Sequence, residues 1–549
     1  VYKNLPAAVK RGDIKESDID VSVKRLLKGR FELGDFDPDS LVSWTSIPMS
    51  VVSSQAHRDL ARKMGREQMV LLKNNGILPL SPTADNIMVM GPNAADSTMM
   101  WGIYYGQPGH TVTILEGLNA RTGRSLPYSR ACAVTQMTDR ESVFGNLKDS
   151  KGRTGMEAAY WNNTTMSGTP DVETVYTSAI QLDNGGNTAF APGINLTNFT
   201  TRIKGTYTAD RDETLNMIYN NDDGLRIIIN GDTVHDRWKT DPLNFREREF
   251  AVKKGQTYDI QVDYMQLEDD ATLNFDILRT RPVTPAEAVA AAKDVETVIF
   301  VGGISPAYER EEAKVREPGF DDGDRTSIEL PAPQRAILRA LHDAGKKIVL
   351  VNCSGSAVAL TPENEICDAI LQAWYPGEQG GHAVADVIFG DYNPSGKLPV
   401  TFYKDDSQLP GFDDYLMKGR TYRYMKDEPL YQFGHGLSYT TFDIGSPTYA
   451  NDKIKVNVKN TGKREGTEIV QVYMRRPADT AGPNKTLRGY ARVNLAPGES
   501  KEVEIDFPRN LFENWDEAAQ EMRVVPGDYE LMVGSSSAPK DLKTIKVRI

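Results

Sequence analysis

A chain of 549 residues exceeds what one core can organise, so three or four compact units are expected. With 39% hydrophobic and 26% charged residues, and no apolar run near the ~20 residues that cross a bilayer, no membrane insertion is expected. The 64 basic and 76 acidic side chains leave a formal charge of −12, which repels phosphate backbones and argues against nucleic acid as the main partner; an uncharged substrate is indifferent to it.

From the N-terminus, Glu16–Lys28 opens on polar residues, continues with apolar ones at helical spacing and runs out near Gly34. This predicts an amphipathic helix whose apolar face has no partner in the short run to Pro38. Residues 38–54 read as a linker, and 55–75 as a second helix ending in the Lys73-Asn-Asn-Gly76 turn. From Asn86 the pattern changes to short apolar runs: Ile87–Met90, then Val298–Val301, Ile348–Val351 and Ala369–Ala373, alternating with helical segments such as 333–344. Runs of this kind predict a sheet buried on both faces, in two parts, 55–151 and 282–402.

Between those parts, residues 152–281 differ in kind. Alternating stretches Leu215–Tyr219, Leu225–Ile229 and Tyr258–Val262, with turns at Asp-Asp-Gly224 and Asn-Gly231, carry the hairpin signal of an antiparallel β-domain inserted into the α/β unit. A linking segment, 403–445, leads to a tail from 446 to 549 whose strands Ile454–Val458, Ile469–Tyr473 and Tyr529–Val533 predict a β-sandwich. The fold class is therefore multidomain α/β plus all-β.

The three cysteines, Cys132, Cys353 and Cys367, show neither CxxC nor Cys/His ligand spacing and are expected to be buried free thiols. They leave the redox compartment open. The six histidines are scattered without an HxxxH pair, so neither metal catalysis nor a cofactor is expected. Ser354 follows a strand in Asn352-Cys-Ser-Gly-Ser356 but lacks the G-x-S-x-G form of a nucleophile elbow.

Several stretches, in one order over nearly the whole chain, resemble glycoside hydrolase family 3. They are Arg66–Asn74 followed by Ile77-Leu-Pro-Leu80, Gly323–Pro331, Trp374-Tyr-Pro-Gly-Glu-Gln-Gly-Gly381, Ser395–Phe402, Arg420–Tyr424 and Phe433–Tyr439. Asn221–Gly231 with Val234–Trp238 resembles the protective-antigen-type domain inserted in some members, and the tail resembles their fibronectin type III-like domain. Trp101-Gly-Ile-Tyr-Tyr-Gly106 is similar to the Gly-Asn-Tyr-x-Gly of the β-xylosidase branch, with Ile103 in place of the Asn. The resemblance implies that residues 1–37 are the C-terminal remnant of a (β/α)8 barrel. It also implies bacterial origin and a periplasmic or secreted location, with an oligosaccharide as substrate and a homo-oligomer as one possible assembly.

The implied chemistry is retaining cleavage of β-linked sugars, which uses two carboxyl groups only ~5 Å apart. The family's nucleophile is an Asp in a Ser-Asp context on a barrel strand. No matching motif stands here, so the expectation is an incomplete chain, its barrel supplied upstream or by another chain. The acid/base maps onto the acidic loop Gly302–Glu312, first to Glu311 and next to Glu309. A proton donor must stay protonated near neutral pH, which a cluster of like charges favours and Arg310 opposes. Tyr104 matches a tyrosine that narrows the −1 subsite against the CH2OH of glucose. Asp324 and Arg325 read as a structural pair, and Asp222 and Asp223 as turn residues.

Overall fold

The computed structural model describes residues 2–103, 105, 106, 108, 110–183, 189–240, 244–309 and 315–549. They fall into two units that divide at Leu60. In the first, helices Leu5–Arg11 and Glu16–Glu32 are followed by three short 3-10 turns, the last at Met49–Val51. The longer helix begins where the sequence placed it, with the Asp18 carboxylate accepting from the Lys15 backbone N–H at 3.0 Å. Val21, Leu26 and Phe31 along it are exposed.

In the second unit, six strands lie side by side in the order Val70–Asn74, Ala369–Gln372, Lys347–Cys353, Thr297–Gly303, Ile87–Met90 and Tyr128–Ser129. All neighbours are parallel except the edge strand Val70–Asn74, which runs antiparallel to Ala369–Gln372. The helix expected over 55–75 therefore ends early, at Gln68. The next four residues, Met69-Val-Leu-Leu72, are apolar on every side and fully buried, and an amphipathic surface helix cannot bury all four. A strand with a core on each face can. Val298 to Val301 have no exposed surface, and two apolar clusters, one on each side, cover the sheet. Burial of this kind stabilises by roughly 1.5–3 kcal/mol for each large aliphatic side chain.

Two of the covering helices, Ile114–Thr122 and Gly380–Ile388, meet backbone to backbone. A Cβ on Gly117 would lie 2.0 Å from the Gly381 carbonyl oxygen, and one on Gly381 would lie 1.9 Å from that of Thr113. Nothing but glycine fits at either position.

The inserted domain is a sandwich of two antiparallel sheets around one core that includes Tyr160, Phe199, Tyr207, Tyr264 and Phe275. Strand Thr138–Ser142 pairs with Thr272–Pro282 in one of these sheets, and Phe144 and Leu147 join the core. Asn230-Gly231 closes a hairpin between Gly224–Ile229 and Asp232–Arg237. The Asp222-Asp223 turn does not, because the strands on either side of it belong to different sheets. Asp223 instead pins this crossing: its carboxylate accepts from the backbone N–H of Leu267 at 2.7 Å, and Asn221 donates to its carbonyl at 2.8 Å.

The tail is a second sandwich, with Lys453–Asn460 and Gly466–Arg475 in opposite sheets around Phe507, Phe512 and Tyr529. Among the described residues no helix is long and apolar enough to cross a membrane.

Candidate active site at the carboxyl edge of the sheet

Three neighbouring parallel strands end at the same edge, and each passes directly into a loop that bears a polar side chain. Thr297–Gly303 leads to Glu309, Lys347–Cys353 to Ser356, and Ala369–Gln372 to Tyr375. Crevices beyond the carboxyl ends of parallel strands are where open α/β sheets bind ligands. Here the loops are tied down from below. Gln334 accepts from the Gly303 N–H at 2.8 Å and donates to its carbonyl at 2.7 Å. Asn352 donates to Gln372 at 2.6 Å, Gln372 to the Ser354 hydroxyl at 2.9 Å, and Ser354 to the Ser356 carbonyl at 2.8 Å. Buried and linked from strand to strand, this network holds the loop positions, with Asn352 Oδ1 left without a partner among the described residues.

Above it, the Tyr375 hydroxyl donates to Glu309 Oε2 at 2.6 Å, and the Ser356 hydroxyl lies 3.4 Å from Glu309 Oε1. Burial first, and then the charge of Glu309, push the Tyr375 phenol well above its ordinary range, so it keeps its proton and acts as a donor. Arg325 enters from a small three-stranded ribbon and donates from Nη1 to Ser356 Oγ at 3.0 Å and to the Ala357 carbonyl at 2.9 Å. Its Nε and Nη2 are buried and have no partner among the described residues. Burial lowers the pKa of this guanidinium and Glu309 opposes the shift. The expected Asp324–Arg325 pair is thus replaced by contacts to the Ser356 loop, since Arg325 turns inward while Asp324 stays exposed.

Beside this edge opens a cavity of ≈ 840 Å³, a size typical of small-molecule sites. One wall is the start of the acidic loop, Pro306 and Ala307, with Trp101; the other is the inserted domain, through Asn220, Asn274 and Asp276. Trp101 is fixed by a 2.7 Å hydrogen bond to Thr111, and its ring lies 4.7 Å from that of Tyr105. Asp276 accepts from Ser142 at 2.7 Å and from the Ile277 N–H at 2.8 Å; burial raises its pKa. Asn220 Oδ1 is buried and has no partner among the described residues.

Of the site residues named from sequence, Glu309 is part of this constellation, while Glu311 and Tyr104 lie outside the described residues. Sequence reasoning missed Tyr375 and Ser356, although both stand in motifs already singled out, and it missed the polar wall of the insert. Ser354 is buried and fully used in the supporting network. His435 holds the Leu72 carbonyl at 3.0 Å, a structural task. The three cysteines are free and buried; for Cys132 burial pushes the thiol up to about 12. Among the described residues no group of three or more His, Cys, Asp or Glu side chains could hold a metal ion.

These features define a multidomain α/β protein with a ligand-sized cavity at the carboxyl edge of its sheet and a terminal β-sandwich. Residues 69–439 match the glycosyl hydrolase family 3 C-terminal domain, and residues 468–537 a fibronectin type III-like domain. The chain belongs to glycoside hydrolase family 3. All of it is similar to a xylan 1,4-beta-xylosidase of Xylanibacter ruminicola, at 42% identity, and 98% of it to a periplasmic beta-glucosidase of Salmonella typhimurium, at 28%. The chain spans 64% and 56% of the lengths of these two relatives. Among solved structures, a beta-glucosidase of Kluyveromyces marxianus matches all of this chain and 69% of its own with a TM-score of 0.76; at 24% identity this is a likeness of fold.

Proposed function

We propose that the protein is a retaining exo-glycosidase that releases β-linked xylose from the non-reducing ends of xylo-oligosaccharides. In this reading the chain carries the acid/base, with Glu311 first and Glu309 second, but not the nucleophile. The observation that carries it is the acidic loop itself: it leaves the carboxyl edge of the sheet, lines a cavity of ≈ 840 Å³ through Pro306 and Ala307, and is fastened two residues later at Glu309. The xylan 1,4-beta-xylosidase at 42% identity supports xylose as the sugar. Tyr104 would narrow the −1 subsite against hexoses. The relative described as a periplasmic beta-glucosidase favours glucose as the second reading and supports a periplasmic location. α-L-arabinofuranoside cleavage and noncatalytic carbohydrate binding are the remaining alternatives.

The test is hydrolysis of nitrophenyl xyloside, glucoside and arabinofuranoside by the whole protein. A preference for xyloside that shifts toward glucoside in Tyr104→Ala is the expected result; an unchanged ratio would refute the narrowing role. No turnover of any of the three would leave only the binding reading.

A further inference from the structure

We infer that the seam between the linking segment and the tail sandwich is an oxyanion-binding site, built by the guanidinium groups of Arg423, Arg476 and Arg488 with the ammonium of Lys485. Its ligand is an anionic oxygen group, either a free sulfate or phosphate ion or the carboxylate of an acidic sugar. The site does not depend on the reading of the acidic loop.

Hydrogen bonds and strand register bring these cations together. The turn Thr421–Tyr424 is fastened to the start of strand Thr486–Leu495 at three points. Asn484 donates its backbone N–H to the Arg423 carbonyl at 2.6 Å and its side-chain amide to the Met425 carbonyl at 2.8 Å, and the Leu487 N–H donates to the Tyr422 hydroxyl at 3.1 Å. Arg423 is thereby set beside the stretch that carries Lys485 and Arg488. The antiparallel partner, Gly466–Arg475, pairs Met474 with Thr486, so Arg475 and Arg476 leave the sheet where Asn484 and Lys485 enter it. One step of this ladder is irregular: Val472 faces Gly489 and Tyr473 faces Leu487, which makes Arg488 the extra residue of a β-bulge. A bulge turns a side chain out of the regular alternation, and this one places a guanidinium in the field of Arg423.

None of the four cations forms an ion pair among the described residues, although the chain has 76 acidic side chains to 64 basic ones. Arg488 Nη2 donates to the Glu513 carbonyl and Lys485 Nζ to the Ser537 carbonyl, both at 2.7 Å. The Arg423 guanidinium lies 5.4 Å from the centre of the Tyr424 ring. Asp479, the acidic residue of the turn 476–484, accepts instead from the Gly482 N–H at 2.9 Å. The Nε atoms of Arg423, Arg476 and Arg488 are buried and have no partner among the described residues. Burial lowers the pKa of Lys485, and Arg475 lowers it further; burial and then Arg423 do the same to Arg488, against the opposing charge of Glu513. Half-buried like charges are poorly screened from one another. An oxyanion turns that repulsion into attraction, because each guanidinium offers it a fork of donors.

The test is thermal unfolding of the whole protein at constant ionic strength, with millimolar chloride replaced by sulfate or by glucuronate and with xylose as the neutral control. At such dilution the general stabilising action of sulfate is negligible. Expected is a rise in Tm of about 2–4 °C with at least one of the two anions, none with xylose, and loss of the rise in both Arg423→Met and Arg488→Met. Lys501→Met, which removes an exposed cation on another strand, keeps the rise. In chloride, Arg423→Met should unfold no earlier than the parent, since it removes a repelling charge; a purely structural arginine would give earlier unfolding with the anion response intact. Arg476→Met serves where either variant folds poorly. A larger rise with sulfate assigns the site to a free ion, and a larger one with glucuronate to an acidic sugar. No rise with either anion, an equal rise with xylose, or a rise that survives an arginine substitution would overturn the site.

Discussion

The insert wall of the cavity and the loop cluster beside the sheet edge, next to the opposite wall, engage their polar atoms differently. On the sheet side, Glu309, Tyr375 and Ser356 satisfy one another and rest on a buried hydrogen-bond network, so their positions are fixed before any ligand arrives. On the insert side, Asn220 and Asn274 project from strands whose other face is packed in the sandwich core, and Asn220 Oδ1 has no partner among the described residues. A carboxylate held by two hydroxyls suits chemistry, which needs preorganised groups, even though Arg325 Nε and Nη2 beside it have no partner among the described residues. A wall with unspent polar atoms suits recognition, because a ligand hydroxyl is what would satisfy them.

The largest expected effect tests the first half of this contrast. Glu311→Gln should lower kcat/KM on xylobiose by about 10²–10⁴-fold, the range contributed by a positioned acid. No single substitution on the insert wall should approach that, and steady-state kinetics on the two sets of variants decides it. Second in size is the support of the fixed wall. Gly381→Ala puts a carbon 1.9 Å from the Thr113 carbonyl and should cost about 3 kcal/mol or more, read from urea unfolding.

Smaller effects belong to the insert. Asn220→Ala should raise KM for xylotriose several-fold, corresponding to about 1 kcal/mol, and leave nitrophenyl xyloside unchanged; an equal change on both would mean that this wall does not select. Smallest is a pH effect at Asp276. Burial raises its folded pKa, so the native state holds this proton more tightly than the unfolded chain does. Its contribution is fully present below the unfolded carboxyl range and is lost as pH rises through the raised folded value. Asp276→Asn should therefore have a higher Tm than the parent at neutral pH, with the gap closing in acid.

The same contrast explains what could be read in advance. Continuous apolar runs such as Val298–Val301 and alternating ones such as Leu225–Ile229 mark their strands, because burial on two faces or one leaves a direct trace in residue type. The end of the helix after 55 was misjudged because Met69–Leu72 suits a buried helix or strand equally until its neighbour Ala369–Gln372 is known. Glu309 was legible because its acidic cluster is local. Tyr375 and Ser356 were not, since they become its partners only when residues 47 and 66 positions away are brought to one edge. The insert wall was hidden for a related reason: its asparagines look like ordinary outward-facing strand residues until another domain stands opposite.

The glycine contact between the two helices that flank the sheet reaches further than packing. The helix that carries Gly381 starts five residues after Tyr375, at Gly380, and the stretch joining them includes Pro376. With its neighbour at bare-backbone distance, that helix has no room to slide, so the height of the phenol above the sheet is set by a stop six residues further along the chain. Two absent methyl groups thereby act as a gauge block for the acidic loop, and any bulk introduced there would be felt as misalignment at Glu309.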